Sequence, residues 1–162
     1  MRRAILKRIA ATAFLCSAML MAQTANEPAG YHYWSRAQLE QTANALAPQM
    51  DEHKFKTEIL ASAGKTRFQI THREAGGESE LHDSLSDVVL VQSGHATLTY
   101  GGTMVGAKTT GPGEVRGTGI DGGITQLLSP GDVVVIPSRL PHLITPSNGD
   151  KFNYFVVKVA DQ

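Results

Sequence analysis

The stretch from Ser129 to Ile144, SPGDVVVIPSRLPHLI, limits the fold more than any other part of the chain. Pro130-Gly131-Asp132 signals a tight turn, Val133 to Ile136 is a β-branched run too short and too apolar for a surface helix, and Pro137 stops it. The spacing predicts a buried strand. Ser138 to Pro141 then turn and deliver His142 to the mouth of a following strand, with Ile144 on the same face by the two-residue period. One imidazole is thereby aimed along an apolar interior.

The rest of the chain repeats strand and turn. Phe55, Thr57 and Ile59 alternate, Ser62 to Lys65 turn, and Phe68 and Ile70 alternate again, which reads as a hairpin with His72 on the face of Phe68 and Ile70. Gly76-Gly77 breaks the strand, and short strands follow at residues 80–84, 88–92, ending at Ser93-Gly94, and 96–100, closing at Gly101-Gly102. Residues 101–131 hold ten of the sixteen glycines, predicting a long irregular hairpin or flap. Leu127 and Leu128 resume the sheet, and Phe152 to Val159 reads as a strand covered on both faces. Eight to ten short strands suit a closed barrel or a two-sheet jelly roll, so the fold class is all-β. At 162 residues there is room for one such core, assigned to residues 54–162. The preceding extension, residues 26–53, carries an aromatic patch at Tyr31, Tyr33 and Trp34 and a short helix from an N-cap at Ser35 to about Ala47, ended by Pro48.

The first 25 residues read as a cleaved export signal. Arg2, Arg3, Lys7 and Arg8 precede an apolar run from Ile9 to Ala22, which is too short and wrongly flanked for a stable anchor, and cutting is expected near Ala22 or Ala25. The expected location is periplasmic or secreted, by the Sec route or, since MRRAILK resembles a twin-arginine signal, by that one. Cys16, the only cysteine, lies in this leader, so the exported domain has no disulfide and no thiolate ligand. Without the leader the balance is 11 basic against 15 acidic residues, a poor match to nucleic acid.

A second stretch, GGESELHDSLSDVVLVQSG from Gly76 to Gly94, answers the first. Gly131, Pro137 and His142 resemble the second motif of the cupin family, and Gly76, His82, Asp87 and Gly94 resemble its first, so the likeness covers roughly residues 66–146. It implies a cupin-type jelly roll or double-stranded β-barrel, with the short helix and the signal peptide outside it. The chain departs from the pattern in several places. Ser84 stands where a second His belongs, the gap to the carboxylate is one residue short, Asp87 replaces Glu, Arg139 replaces Gly and Pro146 replaces a common Asn.

The ligand types that remain are His82, Asp87 and His142, with His72 as a fourth ligand or an orienting group. Two imidazoles and a carboxylate form a facial set suited to one divalent transition metal, Fe, Mn or Zn. Each has a plainer reading: His72 bonded to backbone, Asp87 capping a turn, Glu78 and Glu80 solvated. Arg139, Tyr100 and Tyr154 are candidate substrate contacts, and Glu114 and Arg116 could pair or close over the mouth. The resemblance implies an exported metal-binding cupin acting on a small oxygen-rich molecule by dioxygenase-, isomerase- or lyase-type chemistry, as a homodimer off the membrane. Its alternative is a metal-free cupin, a ligand-binding or dimerisation module, for which Ser84 argues.

Overall fold

The computed structural model describes residues 28–161, and the export signal, its cleavage positions and Cys16 lie outside the described residues. Residues up to 31 belong to an N-terminal unit, of which Pro28 to Tyr31 are a turn closed by the Tyr31 N–H on the Pro28 carbonyl at 3.1 Å. The unit from His32 onward carries everything described below.

Helix α1 spans Arg36–Leu46 and begins where Ser35 dictates. The Ser35 hydroxyl accepts from the Gln38 N–H at 3.2 Å, and the Gln38 side chain accepts from the Ser35 N–H at 2.8 Å. That capping box satisfies two backbone donors the helix leaves open. Leu39, Ala43 and Leu46 fall on one face and are buried against Ile70, with Trp34, Leu60 and Phe155 around them. A Ser35→Ala variant is expected to lose about 1 kcal/mol in urea denaturation, since half of the box goes while the buried face stays.

Thirteen strands follow: β1 (Phe55–Ala63), β2 (Thr66–Arg73), β3 (Ser79–His82), β4 (Leu85–Ser93), β5 (Ala96–Tyr100), β6 (Thr103–Val105), β7 (Lys108–Gly111), β8 (Glu114–Gly117), β9 (Gly119–Asp121), β10 (Ile124–Leu128), β11 (Val133–Ile136), β12 (His142–Pro146) and β13 (Phe152–Ala160). They form a five-stranded sheet ordered β1-β2-β13-β4-β11, a six-stranded sheet ordered β10-β5-β12-β3-β8-β7, and a small β6-β9 pair from the glycine-rich segment. Val89, Val91, Ile136, Phe152 and Val156 of the first sheet bury against Ala96, Leu98, Leu128 and Ile144 of the second. This is the expected all-β jelly roll, built as two facing sheets that do not close into a barrel. Gly94, read as the closing glycine of the first motif, sits at φ +76°, where a Cβ would collide with the Lys151 carbonyl.

Two sequence expectations are corrected. The Val133–Ile136 run is not a buried strand. As an edge strand with one face turned out, β11 leaves Val133 62% and Val135 64% exposed. On β2 the face carrying Phe68, Ile70 and His72 does not look into the jelly roll either. It packs beneath α1, while Arg67, Gln69, Thr71 and Arg73 line the cavity between the sheets. The apolar face of a strand turns to the larger apolar cover, and here that cover is the helix.

Candidate metal centre

Register gathers the site. In the β12–β3 ladder His142 stands directly opposite Glu80, and the two-residue period of β3 puts His82 on the same face as Glu80. Glu80, His82 and His142 can each offer one ligand atom, all within 4.8 Å of one another. The facing sheet contributes Asp87 from β4, paired across the ladder with Lys158 of β13. Asp87 Oδ2 lies 3.5 Å from His82 Nε2 and 3.8 Å from His142 Nε2. The turn at Asp83-Ser84 does not join paired neighbours. It carries the chain from one sheet to the other, and that crossing brings His82 and Asp87 face to face.

Hydrogen bonds fix how the rings point. His142 Nδ1 donates to the Leu140 carbonyl at 3.0 Å, which leaves Nε2 for the site. His82 Nδ1 donates to Glu114 Oε2 at 2.8 Å, and Glu114 is itself held by Arg116 Nη1 at 3.1 Å. Both imidazoles thus present Nε2 inward. Lys158 Nζ sits 2.8 Å from His82 Nε2 and 2.8 and 2.7 Å from the two Asp87 oxygens. Two protonated nitrogens repel at that distance, and Asp87, in contact with both, offsets the two charges.

Burial disfavours charge on every group here, and pairing decides which groups keep it. Desolvation works against a charge on His82, which is 2% exposed, yet Asp87 and Glu80 outweigh it and push the pKa up to about 9, with Lys158 opposing them. Burial pushes the His142 pKa down, against weaker pulls from Glu80 and Asp87. Asp87 is desolvated too, but His82 and Lys158 hold its carboxyl below the usual range; His82, Arg116 and His142 do the same, more strongly, for Glu80. A sign follows for protein stripped of metal on a chelating resin. The folded pKa of His82 lies above the ordinary imidazole value of 6.5, so its contribution to stability is complete below pH 6.5 and is withdrawn as pH rises through about 9. The thermal midpoint is expected to fall across that window; a midpoint that climbs there would show that the carboxylates do not hold the imidazolium.

An ion with bonds of about 2.0 to 2.2 Å separates its ligand atoms by roughly 3 to 3.5 Å. The His82–Asp87 and His82–Glu80 contacts, both 3.5 Å, have that spacing, and the donors are of the borderline type that transition metals take. The residues fit a divalent ion, with Lys158 in competition for His82 and Asp87.

The structure does not bring His72 into this group. Its ring is fully buried on the helix side, with Nδ1 2.7 Å from Asn153 and Nε2 3.1 Å from Glu74. Arg139 is exposed at the neighbouring turn. Its backbone N–H donates to the His82 carbonyl at 2.7 Å and its Nε to the Asp83 carbonyl at 3.2 Å, and its φ of 62° explains why a glycine suits this position of the motif. Tyr100 of β5 stands opposite His142 in the β12–β5 ladder but lines the apolar cleft beside β10 and β11, not the polar cavity. Tyr154 is buried beside Arg73, Glu80 and His142 in a void of about 20 Å³. Glu80 is not simply solvated: its side chain is 22% exposed, 3.7 Å from both Arg73 and Arg116. Its two-residue step from His82 was the signal for it. The sequence reading missed Lys158, whose signal was that it is the one charged residue of its strand.

The centre opens onto a cavity of about 360 Å³ between β1-β2-β13 and β3-β8-β7, lined among others by Arg67, Gln69, Thr71, Arg73, Arg116 and Lys158. No family pattern matches the chain, and no curated protein matches its sequence. Solved structures do. A protein with a double-stranded β-helix domain from Klebsiella pneumoniae is 16% identical with a TM-score of 0.56, covering 82% of this chain and 92% of its own. The cupin domain of Schizosaccharomyces pombe Cnp3 is 12% identical with a TM-score of 0.50, over 71% of this chain and 67% of that one. The TT1209 protein from Thermus thermophilus is 13% identical with a TM-score of 0.50, over 69% and 89%.

Proposed function

The chain folds as a cupin, and from that premise we propose that it is an exported metal-binding protein acting on a small oxygen-rich molecule. One observation carries this reading. Ligand atoms of Glu80, His82 and His142 lie within 4.8 Å of one another, with Asp87 3.5 and 3.8 Å from the two imidazoles, where the two sheets meet beside a polar cavity. His82, His142 and Glu80 would hold the ion, with Asp87 joining when Lys158 releases it. Bound there, Fe, Mn or Zn supplies a Lewis acid that polarises a substrate oxygen, which is compatible with dioxygenase-, isomerase- or lyase-type chemistry. The protein's own part is to fix the imidazole tautomers through Leu140 and Glu114 and to offer hydroxyls and cations around the ligand. Export is supported by the basic, then apolar, leader. Metal analysis of the untagged, leaderless chain after titration with Fe(II), Mn(II) and Zn(II) tests the reading. Near one ion per chain is expected, and none retained on gel filtration with any of the three would refute it.

Lys158 favours a second reading, a metal-free cupin in which the ammonium does permanently what an ion would do, neutralising Asp87 and fixing His82. A homodimer is proposed under either. Edge strands β10 and β11 border the same apolar cleft and expose Ile124, Leu127, Val133 and Val135 at 62 to 72%. Unpaired edges with apolar side chains are stable in solution when a second copy covers them. Val135→Lys is expected to turn a dimer into a monomer in light scattering.

A further inference from the structure

Among the described residues, the only buried side-chain atoms without a hydrogen-bond partner are Nε and Nη1 of one guanidinium, that of Arg73. The residue is 3% exposed, and a buried ionised donor left unpaired is costly enough that a partner is expected. What holds Arg73 leaves those two atoms open: its Cζ lies 4.6 Å over the Phe55 ring, Nη2 is 3.7 Å from Glu80, and the Tyr154 hydroxyl pairs with the guanidinium. Gly77 makes room for it, since a Cβ there would collide with Nη1.

Arg73 belongs to a pattern. The inward face of β2 reads Arg67, Gln69, Thr71, Arg73, four polar side chains where a jelly-roll interior normally carries apolar ones, and all four line the 360 Å³ cavity. The acids that line the same cavity are already shared among several cations: Glu114 between His82 and Arg116, Glu80 among Arg73, Arg116 and the imidazoles. Lys158 is committed to Asp87. Among the described residues Arg67 has no ion-pair partner, so the uncompensated charge in the cavity is positive and sits on β2. The volume is that of a small-molecule site, and Gln69, Thr71 and Tyr154 add amide and hydroxyl groups around the cations.

We propose that this cavity binds a small hydroxylated carboxylic acid, its carboxylate received by Arg73 with Arg67 beside it and its hydroxyls by the neighbouring threonine, glutamine and tyrosine. Guanidinium pairs with carboxylate more strongly than with any neutral group, and the pairing gives Arg73 the partners it lacks. The assignment narrows the oxygen-rich ligand of the proposed function and uses that reading's cavity, but not its ion.

The test is calorimetry on chelating-resin-treated protein with gluconate, malate and malonate, each against its methyl ester or amide at matched ionic strength. The acids are expected to bind and to raise the thermal midpoint, the neutral partners not. Arg73→Met is expected to weaken acid binding by about tenfold to a hundredfold without lowering the ligand-free midpoint, because it removes the unpaired donors. Gly77→Ala keeps the charge, displaces the guanidinium and weakens binding as well, which covers the case of a Met variant that fails to fold. Acids that bind no better than their neutral partners, inorganic phosphate preferred over all of them, or Arg73→Met binding like the wild type would each overturn the assignment. None of these outcomes bears on metal stoichiometry, so the two proposals fail separately.

Discussion

Replacing His82 and His142 together with alanine is expected to abolish divalent-metal binding, and each single replacement to weaken it by at least about a hundredfold. The expectation is large because the two rings are not interchangeable with anything nearby. Each has its Nδ1 proton pinned, His82 to Glu114 at 2.8 Å and His142 to Leu140 at 3.0 Å, so each Nε2 faces the site without further ordering. What is left after the double replacement is Glu80 and Asp87, two carboxylates already neutralised by Arg116 and Lys158. His72→Ala is the control. It should leave stoichiometry unchanged while costing stability, since its ring bridges Asn153 and Glu74 beneath α1 and its loss strands a buried amide. Calorimetric titration with Zn(II) and Mn(II) reads all four variants, and an ion retained by the double variant removes the site even though the fold stands.

The architecture was legible because it is written in local signals. Pro-Gly-Asp before a β-branched run, glycine breaks and a Ser-capped helix each act over four or five residues, and the structure has the helix and the strands expected outside residues 101–131 within about three residues, while that segment, read as an irregular hairpin or flap, holds the short strands β6 to β9. Which face of a strand turns inward is a different kind of fact. The run TRFQITHR offers an apolar and a polar face, and the preference for apolar residues inside pointed to Phe68, Ile70 and His72. The true core of that strand lies on the other side, under α1, because the interior space opposite is a polar cavity. A strand with covers on both faces cannot be oriented from its own pattern. The same limit hid Arg73 and Glu80, whose polarity reads as exposure until the facing sheet is in place. His82 and His142 were legible because two motif frames, far apart in sequence, constrain them together. Asp87 and Lys158 meet only through the β4–β13 ladder, a pairing of residues 71 apart that no local spacing announces.

Lys158→Met is the replacement that separates the two readings of the centre, and it is expected to have opposite consequences with and without metal. In metal-free protein it leaves Asp87, 5% exposed, without the ammonium that contacts both of its oxygens. Breaking one partner of a buried pair costs about 3 to 5 kcal/mol; the imidazole of His82 at 3.5 Å takes over part of the charge, so a loss near the lower end, about 3 kcal/mol, is expected in urea denaturation. The same change frees His82 Nε2 and both Asp87 oxygens, the atoms Lys158 holds, and a divalent ion can then use them together with His142 and Glu80. Under the metal-binding reading, Zn(II) or Mn(II) should therefore restore the lost stability, and the variant should bind the ion more tightly than the wild type does, because no ammonium has to be displaced first. Under the metal-free reading the ammonium is the permanent cation of the site, so the variant loses its stability and no ion gives it back. The Met side chain keeps most of the length and packing of the lysine stem. A stability loss that metal cannot reverse, with the fold intact by circular dichroism, thus points to charge rather than to volume, and decides for Lys158 as the resident cation.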